Sequence, residues 1–193
     1  MESKPPVGTA AWTGAKGGHT VEEGEAMVQK GLQDSKVKYM REQLEKAGCR
    51  VTDNFFKAVH CDKPASGFFV PEGGGIKICA NNLRFQDEVT QVLIHELIHA
   101  YDHCRAKNLD FKNKEHHACA EIRASHLSGD CHFMREWLRG HFKIKGHEQA
   151  CVKRRVIYSM CDNTNQSKLD ACAAMEKVWD ICYSDMDPFE KVS

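Results

Sequence analysis

The sequence lacks any long apolar run. A helix that crosses a bilayer needs about 18 to 20 consecutive apolar residues. The most apolar helix-like segment, Val89 to Tyr101, is interrupted by His95, Glu96 and His99. We therefore expect no membrane-spanning helix in this chain.

An excess of charge of one sign is also missing. Lys and Arg together number 27, and Asp and Glu together number 27, so the formal net charge is zero. This balance argues against a protein that binds nucleic acid mainly through bulk positive charge, and we expect no nucleic-acid partner. Hydrophobic residues make up 41% of the chain and charged residues 28%, which is typical of a folded globular protein rather than a disordered one.

The N-terminus has no recognisable targeting pattern. Its first 27 residues contain no apolar core of the secretory kind. They are rich in Gly and Glu, unlike an Arg-rich and acid-poor mitochondrial presequence. We predict a disordered tail over residues 1–20.

Cysteine and histidine, in contrast, are abundant, with ten Cys and eleven His. Ten thiols are too many for ordinary core residues in a chain of 193 residues. Their even number permits five disulfides, and metal binding is the competing explanation.

The spacing of apolar residues predicts an α+β fold. Residues 21–47 read as helical, and Gly48 is a stop signal. Short β-prone runs between Val51 and Asn82, separated by Gly and Pro, predict a small antiparallel sheet. Further helices are expected at about Phe85 to Cys104 with Asn82 as the cap, at about Glu115 to Leu127, and as a pair between Cys151 and Cys182 joined by a turn at 162–165.

The sharpest signal is the pentapeptide HELIH at residues 95–99. Histidines at i and i+4 lie on one helical face, so His95 and His99 can both bind one tetrahedral zinc ion. Glu96 is rotated by about 100° around the helix, where its carboxylate can serve as general base. The flanking residues are uncharged, as a buried catalytic helix requires. We predict a zinc hydrolase with one divalent ion, ligands His95 and His99, and Glu96 as the catalytic residue.

A third protein ligand is needed. His103 lies eight residues beyond His95, about 12 Å along a straight helix, which is too far for one shared ion. The side chain of Asp102 is too short to reach back. The next predicted helix offers Glu121, a carboxylate among Ala, Cys and Ile, where an unpaired charge is costly.

We therefore predict Glu121 as the third ligand. His117 and His116 remain alternative ligands. The structural alternative is a salt bridge between Glu121 and Arg123 or Arg105.

The predicted strand directly before the motif helix, Ile76 to Asn81, has two interpretations. In a zinc peptidase an extended substrate pairs with an edge strand beside the catalytic helix, and this strand is the natural candidate. It is equally well explained as a plain structural strand.

Four cysteines repeat at one spacing near the C-terminus. Nine residues separate Cys151 from Cys161, and nine separate Cys172 from Cys182. A helical hairpin would place Cys161 beside Cys172 and Cys151 beside Cys182, forming two nested disulfides. For the other six cysteines a bridge between Cys104 and Cys119 is one hypothesis, and their connectivity stays open. The six are Cys49, Cys61, Cys79, Cys104, Cys119 and Cys131.

The chain resembles a known family in three segments: HELIHAYDHCRAKN from His95, HHACAEIRASHLSGDC from His116, and DPF from Asp187. It is similar to the mitochondrial inner-membrane metalloproteases involved in ATP synthase assembly, over roughly residues 30 to 190. We expect a zincin-like metalloprotease core over residues 21–147 and a cysteine-paired helical hairpin over 148–193.

The resemblance implies a peripheral protein on the intermembrane-space face of the mitochondrial inner membrane, folded by oxidative import. It implies a role in maturing the precursor of an ATP synthase proton-channel subunit and in assisting its assembly. His95 and His99 match the family's metal ligands, and Glu96 matches its catalytic residue. The alternative function is an assembly chaperone for that membrane subunit, with proteolysis dispensable.

The segment from Phe133 to Lys145 mixes Trp, Phe and Leu with Arg and Lys. This composition is typical of a helix lying on an anionic membrane surface. A core-packed helix with a solvated basic face explains it equally well.

Overall fold

The computed structural model describes residues 18–52, 54–71, 73–164 and 166–189. The fold is α+β, with seven helices, a 3₁₀ turn and three strands in the described residues. In chain order the elements are α1 (Val21–Gly31), α2 (Ser35–Lys46), β1 (Phe56–Val59), β2 (Gly67–Val70), β3 (Gly75–Cys79), the 3₁₀ turn (Ala80–Asn82), α3 (Gln86–Arg105), α4 (Lys114–Leu127), α5 (Phe133–Leu138), α6 (His147–Thr164) and α7 (Lys168–Ser184).

The segment predicted to be helical over residues 21–47 is helical, and it consists of two helices, Val21–Gly31 and Ser35–Lys46. The side chain of Asp34 caps α2 by accepting hydrogen bonds from the backbone N–H groups of Lys36 and Val37. An N-cap residue has extended backbone and therefore interrupts a continuous helix. Of the predicted disordered tail, residues 1–17 lie outside the described residues, while Thr20 caps α1.

The sheet is mixed, with the order β1-β3-β2. Strand β1 is parallel to β3, and β2 is antiparallel to it. The prediction of an antiparallel sheet is therefore correct for one pair and wrong for the other. Because β3 is the central strand, it has no free edge, and the interpretation of Ile76 to Asn81 as an edge strand for substrate is wrong. The edge strands are β1 and β2.

Two clusters of buried side chains hold the described residues together. The first cluster joins α1, α2, the sheet and α3, and the second joins α4, α6 and α7. Helix α4 contributes to both, through Ala124 and Leu127 on the first side and Ala118 and Ile122 on the second. Since α4 lies between two cores, several of its polar residues are buried as well, namely His117, Glu121, Arg123 and Ser125.

Helix α3 begins later and is capped differently from the prediction. Glu88 accepts hydrogen bonds from the backbone N–H groups of Arg84 and Phe85 at the helix start. The predicted cap, Asn82, instead donates to the backbone carbonyls of Lys63 and Ala65 and ties down the preceding loop.

Eight cysteines form four disulfides: Cys49–Cys104, Cys61–Cys79, Cys119–Cys182 and Cys131–Cys151. The expectation of disulfides is confirmed, but the predicted pairs Cys161–Cys172, Cys151–Cys182 and Cys104–Cys119 are wrong. The cause is the position of α4, which packs against both α6 and α7. The inner faces of α6 and α7 meet α4 and its flanking loop, so Cys182 and Cys151 find partners there. Cys161 and Cys172 are free thiols.

The two C-terminal helices form the predicted hairpin. Its predicted turn at 162–165 begins later, since Asp162 to Thr164 still belong to α6, and Asn165 lies outside the described residues. In the described part of the chain no helix combines the length and apolarity that a membrane crossing requires.

Removal of the Cys61–Cys79 disulfide is expected to lower the free energy of unfolding. The bond spans 18 positions, and the loss of its constraint on the unfolded chain corresponds to about 3 kcal/mol. Urea unfolding of Cys61→Ser/Cys79→Ser under non-reducing conditions measures the effect.

The matched control is Cys161→Ser/Cys172→Ser, which removes two free thiols. We expect this variant to unfold like the parent protein, within about 0.5 kcal/mol. A loss as large as that of the Cys61/Cys79 variant would show that Cys161 and Cys172 are bridged after all.

Candidate metal centre

Helix α3 places the two histidines of the HELIH pentapeptide side by side. Their Nε2 atoms lie 3.2 Å apart. His99 is 7% exposed, and His95 is nearly as well covered. At this distance the two imidazole nitrogens can share a hydrogen bond, and they are also well placed to bind one shared ion.

Helix α4 supplies the third polar group. Glu121 Oε2 lies 3.8 Å from His95 Nε2, and Glu121 Oε1 lies 3.4 Å from His99 Nε2. One ligand atom from each of the three side chains falls within 4.8 Å of the others. Two imidazole nitrogens and one carboxylate oxygen are a donor set that catalytic zinc sites use, with the remaining position open. The residues present therefore fit a metal ion.

Burial and mutual attraction set the charges of this cluster. Burial opposes ionisation of Glu121, but His99, His117 and His95 hold its pKa well below the ordinary value. Burial likewise opposes protonation of His99, and the facing Glu121 nevertheless raises its pKa to about 9. A carboxylate that stays ionised in a buried site attracts a cation, and a metal ion satisfies the same need.

Glu96 is buried on the same helix, with 7% of its surface exposed. Burial raises its pKa to about 7, although His99 and the backbone of Phe69 act in the opposite direction. A carboxyl group whose pKa lies near neutrality is suited to accept and return a proton at neutral pH.

The other histidines considered from the sequence are not part of this group of three. His117 Nε2 lies 3.6 Å from Glu121 Oε1 and so contacts the cluster through that carboxylate. His116 Nδ1 accepts a hydrogen bond from the backbone N–H of Asp110. His103 stacks on Phe111 and lies outside the group of three.

The two arginines considered as partners of Glu121 bind other carboxylates. Arg123 binds Asp102, with Nε to Oδ2 at 2.9 Å, and Arg105 binds Asp102, Asp185 and Asp187. The structural alternative for Glu121, a salt bridge to Arg123 or Arg105, is therefore wrong.

Two features next to the site were not predicted from the sequence. Strand β2 is an edge of the sheet, and its Phe69 reaches Glu96 through the backbone. On another side, Asp130 and Arg155 form an ion pair whose charges both act on His95. Only the three-dimensional packing reveals either neighbour, because both are remote from residues 95–99 in the sequence.

The sequence profile of the peptidase M76 family matches residues 22–190. The chain belongs to the peptidase M76 family. The resemblance inferred from the three sequence segments is thereby confirmed, and the family profile covers α1 to α7.

Curated relatives of this M76 chain carry the name mitochondrial inner membrane protease ATP23 or its homologue. The relative from Xenopus laevis is 40% identical over 156 residues, which are 80% of this chain and 66% of the relative. The human relative is 40% identical over 157 residues, 81% of this chain and 64% of the relative. The relative from Yarrowia lipolytica is 38% identical over 159 residues, which are 81% of this chain and 62% of the relative. The chain thus spans slightly less than two thirds of these relatives' length. No solved structure matches it significantly.

Proposed function

We propose that this M76 chain is a zinc-dependent endopeptidase with a zincin-like core. The observation that carries the proposal is the convergence of His95, His99 and Glu121 from two helices, with the buried Glu96 beside them. The donor set of two nitrogens and one oxygen suits zinc. Membership of a peptidase family supports the reaction class.

A zinc ion bound there would lower the pKa of a coordinated water to about 7 and polarise the peptide carbonyl. Glu96 removes the proton from the attacking water and delivers it to the leaving amine. Burial raises the pKa of Glu96 above its ordinary value, which makes this carboxylate a stronger base for the first of these steps. His117 keeps Glu121 ionised and oriented, since its Nε2 lies 3.6 Å from the carboxylate.

The edge strand β2 is the proposed binding surface for an extended substrate. It pairs with β3 on one side only, and Phe69 lies next to Glu96. A peptide that adds to the free edge of β2 would be held by backbone hydrogen bonds. Its peptide bonds would then pass the metal cluster, which requires an unfolded stretch of substrate.

We further propose that the protein works at the mitochondrial inner membrane, peripherally and on the intermembrane-space side. The names of the curated relatives support the inner membrane. The four disulfides support an oxidising compartment. The proposed substrate, by family resemblance, is the precursor of the ATP synthase proton-channel subunit, whose assembly the protein would also assist.

Replacing Glu121 by Gln is expected to remove the metal. The amide is a much weaker ligand than the carboxylate. Loss of a residue that only supports a ligand lowers metal affinity by up to about 100-fold. Loss of the ligand Glu121 itself should therefore lower the affinity for zinc by more than about 100-fold. Zinc content of the purified variant and competition with a chromophoric chelator measure the loss. Cleavage of unfolded casein should disappear in parallel.

Glu115→Gln is the matched control, because Glu115 lies on the same helix and pairs with Lys177 at the surface. This variant should keep both zinc and activity. Stoichiometric zinc of unchanged affinity in Glu121→Gln would contradict the proposed ligand set.

A further inference from the structure

A dense group of exposed apolar side chains follows α4. Eleven large hydrophobic residues are exposed in the described part of the chain, and five of them fall between residues 134 and 144. The five are Met134 at 56%, Trp137 at 50%, Leu138 at 82%, Phe142 at 64% and Ile144 at 75%. The Trp137 and Phe142 rings meet edge to face with centroids 5.6 Å apart. A contiguous surface of this kind marks an interaction site.

The same segment presents no exposed carboxylate. Its one acidic residue between Cys131 and His147 is Glu136, which is 1% exposed and is bound by Arg139 and Arg154. Lys143 and Lys145 are exposed and alternate with Phe142 and Ile144 along a stretch without helix or strand. The outer surface of the segment is therefore apolar and cationic only.

The ends of the segment are fixed to the body of the protein. The disulfide Cys131–Cys151 closes it, and both cysteines are buried at 1% and 0% exposure. Asp130 and Arg155, just outside the two cysteines, form an ion pair beside His95. We call residues 131–151 the closed loop. Its base lies next to the metal cluster while its apolar side chains face outward.

We propose that the closed loop docks the protein on an anionic lipid bilayer. Trp137, Phe142 and Ile144 enter the interface between headgroups and acyl chains, and Lys143 and Lys145 contact lipid phosphates. Aromatic and aliphatic side chains combined with lysines are the composition that binds such an interface. A carboxylate among them would be repelled by the lipids. Between Cys131 and His147 the one carboxylate, Glu136, is buried in ion pairs, and Glu148 near the end of the closed loop pairs with His126.

The inference deepens the proposed membrane location and rests on it. It names the surface that makes the contact and adds that docking brings the metal cluster close to the bilayer. A substrate segment that leaves the membrane would then reach the edge strand β2 without a long diffusion step.

Sedimentation with lipid vesicles tests the proposal on the full chain. We expect binding to phosphatidylcholine vesicles that contain phosphatidylglycerol, and much weaker binding to phosphatidylcholine alone. Lys143→Gln/Lys145→Gln should lower the partition coefficient about 30-fold, at about fivefold for each lysine. Phe142→Ser/Ile144→Ser should lower it by about tenfold or more.

The matched control is Leu169→Ser/Ile181→Ser on α7, where the two side chains are 83% and 76% exposed. This variant should bind vesicles like the parent protein. Equal loss in the α7 variant and the loop variants, or vesicle binding by both loop variants at the parent level, would overturn the proposal. Binding of the parent to neutral and anionic vesicles alike would overturn it too.

Casein cleavage by the same proteins separates this inference from the proposed function. The loop variants should cleave soluble casein at the parental rate, because the substituted side chains are exposed and do not belong to the metal cluster. A parent protein that binds anionic vesicles but cleaves nothing would contradict the protease proposal and leave the docking surface supported.

Discussion

Glu96→Gln is expected to abolish peptide hydrolysis while the protein keeps its metal. General base catalysis contributes about 10²- to 10⁴-fold, and we expect kcat to fall by about 10³-fold. The amide has nearly the same volume as the carboxyl group and does not accept a proton. His95, His99 and Glu121 remain in place, so zinc content should stay at the parental level.

The matched control is Asp87→Asn, which makes the same chemical change near the start of α3. Asp87 is exposed and pairs with Arg135 at 3.3 Å, so kcat should be unchanged. Casein cleavage and zinc content are measured on the parent protein, Glu96→Gln and Asp87→Asn to test the role of Glu96 as general base. Parental kcat in Glu96→Gln with full zinc occupancy would refute the proposed role of Glu96.

The same variant tests the proposed substrate and the chaperone alternative. In cells that carry only Glu96→Gln, the precursor of the proposed proton-channel subunit should accumulate uncleaved. If the subunit still assembles into ATP synthase, the chain also acts as an assembly chaperone. Normal maturation of the precursor in these cells would exclude it as the substrate.

Arg123→Met is expected to cause the largest loss of stability. Arg123 is 1% exposed, and its Nε lies 2.9 Å and 3.1 Å from the two Asp102 oxygens. Its guanidinium also donates to the backbone carbonyls of Asp185 and Asp187. Among the described residues, removal leaves Asp102 with only Arg105, whose side chain is 30% exposed. Loss of one member of a buried pair costs about 3–5 kcal/mol.

The position of Arg123 gives this loss a consequence for the site. Arg123 lies two residues after Glu121 on α4, and its partner Asp102 lies three residues after His99 on α3. The ion pair therefore ties together the two helices that carry the proposed ligands. Urea unfolding measures the stability change, and zinc affinity should fall as well, since the two helices that carry the ligands are no longer tied together.

Arg50→Met is the control for Arg123→Met, because Arg50 is an exposed arginine. Its free energy of unfolding should change by less than about 0.5 kcal/mol. An Arg123→Met protein as stable as Arg50→Met would show that the buried ion pair does not support the fold.

The parts of the site that lie within one helix were predictable. The i, i+4 spacing of His95 and His99 sets their common face regardless of the rest of the chain. Glu121 was predictable on another ground, since a carboxylate in an Ala-rich helix must meet something positive. The structure brings these three side chains together. Their role as ligands stays a prediction until a metal is measured.

The sequence alone could also have excluded Glu121 as the partner of Arg123. Residues two positions apart on a helix point in different directions, so Arg123 cannot readily face Glu121. Helix α4 therefore presents Glu121 to the metal cluster and Arg123 to Asp102. The identity of Asp102 as its partner depends on how α3 and α4 pack.

The disulfide pairs could not be read from spacing alone. Nine residues between cysteines place a pair on one side of its helix, but the spacing does not say which neighbour that side meets. In the structure this neighbour is α4 and its flanking loop, through Cys119 and Cys131. Sheet order also depends on packing, because β1 pairs directly with β3, although β2 lies between these two strands in the sequence.

The proposed site holds one zinc ion by two imidazoles and one carboxylate rather than by thiolates. X-ray absorption at the zinc edge of the metal-loaded protein tests it directly. We predict only nitrogen and oxygen neighbours at about 2.0–2.1 Å, with two imidazole rings in the outer scattering. Sulfur neighbours at about 2.3 Å would place the metal on cysteines and contradict the account.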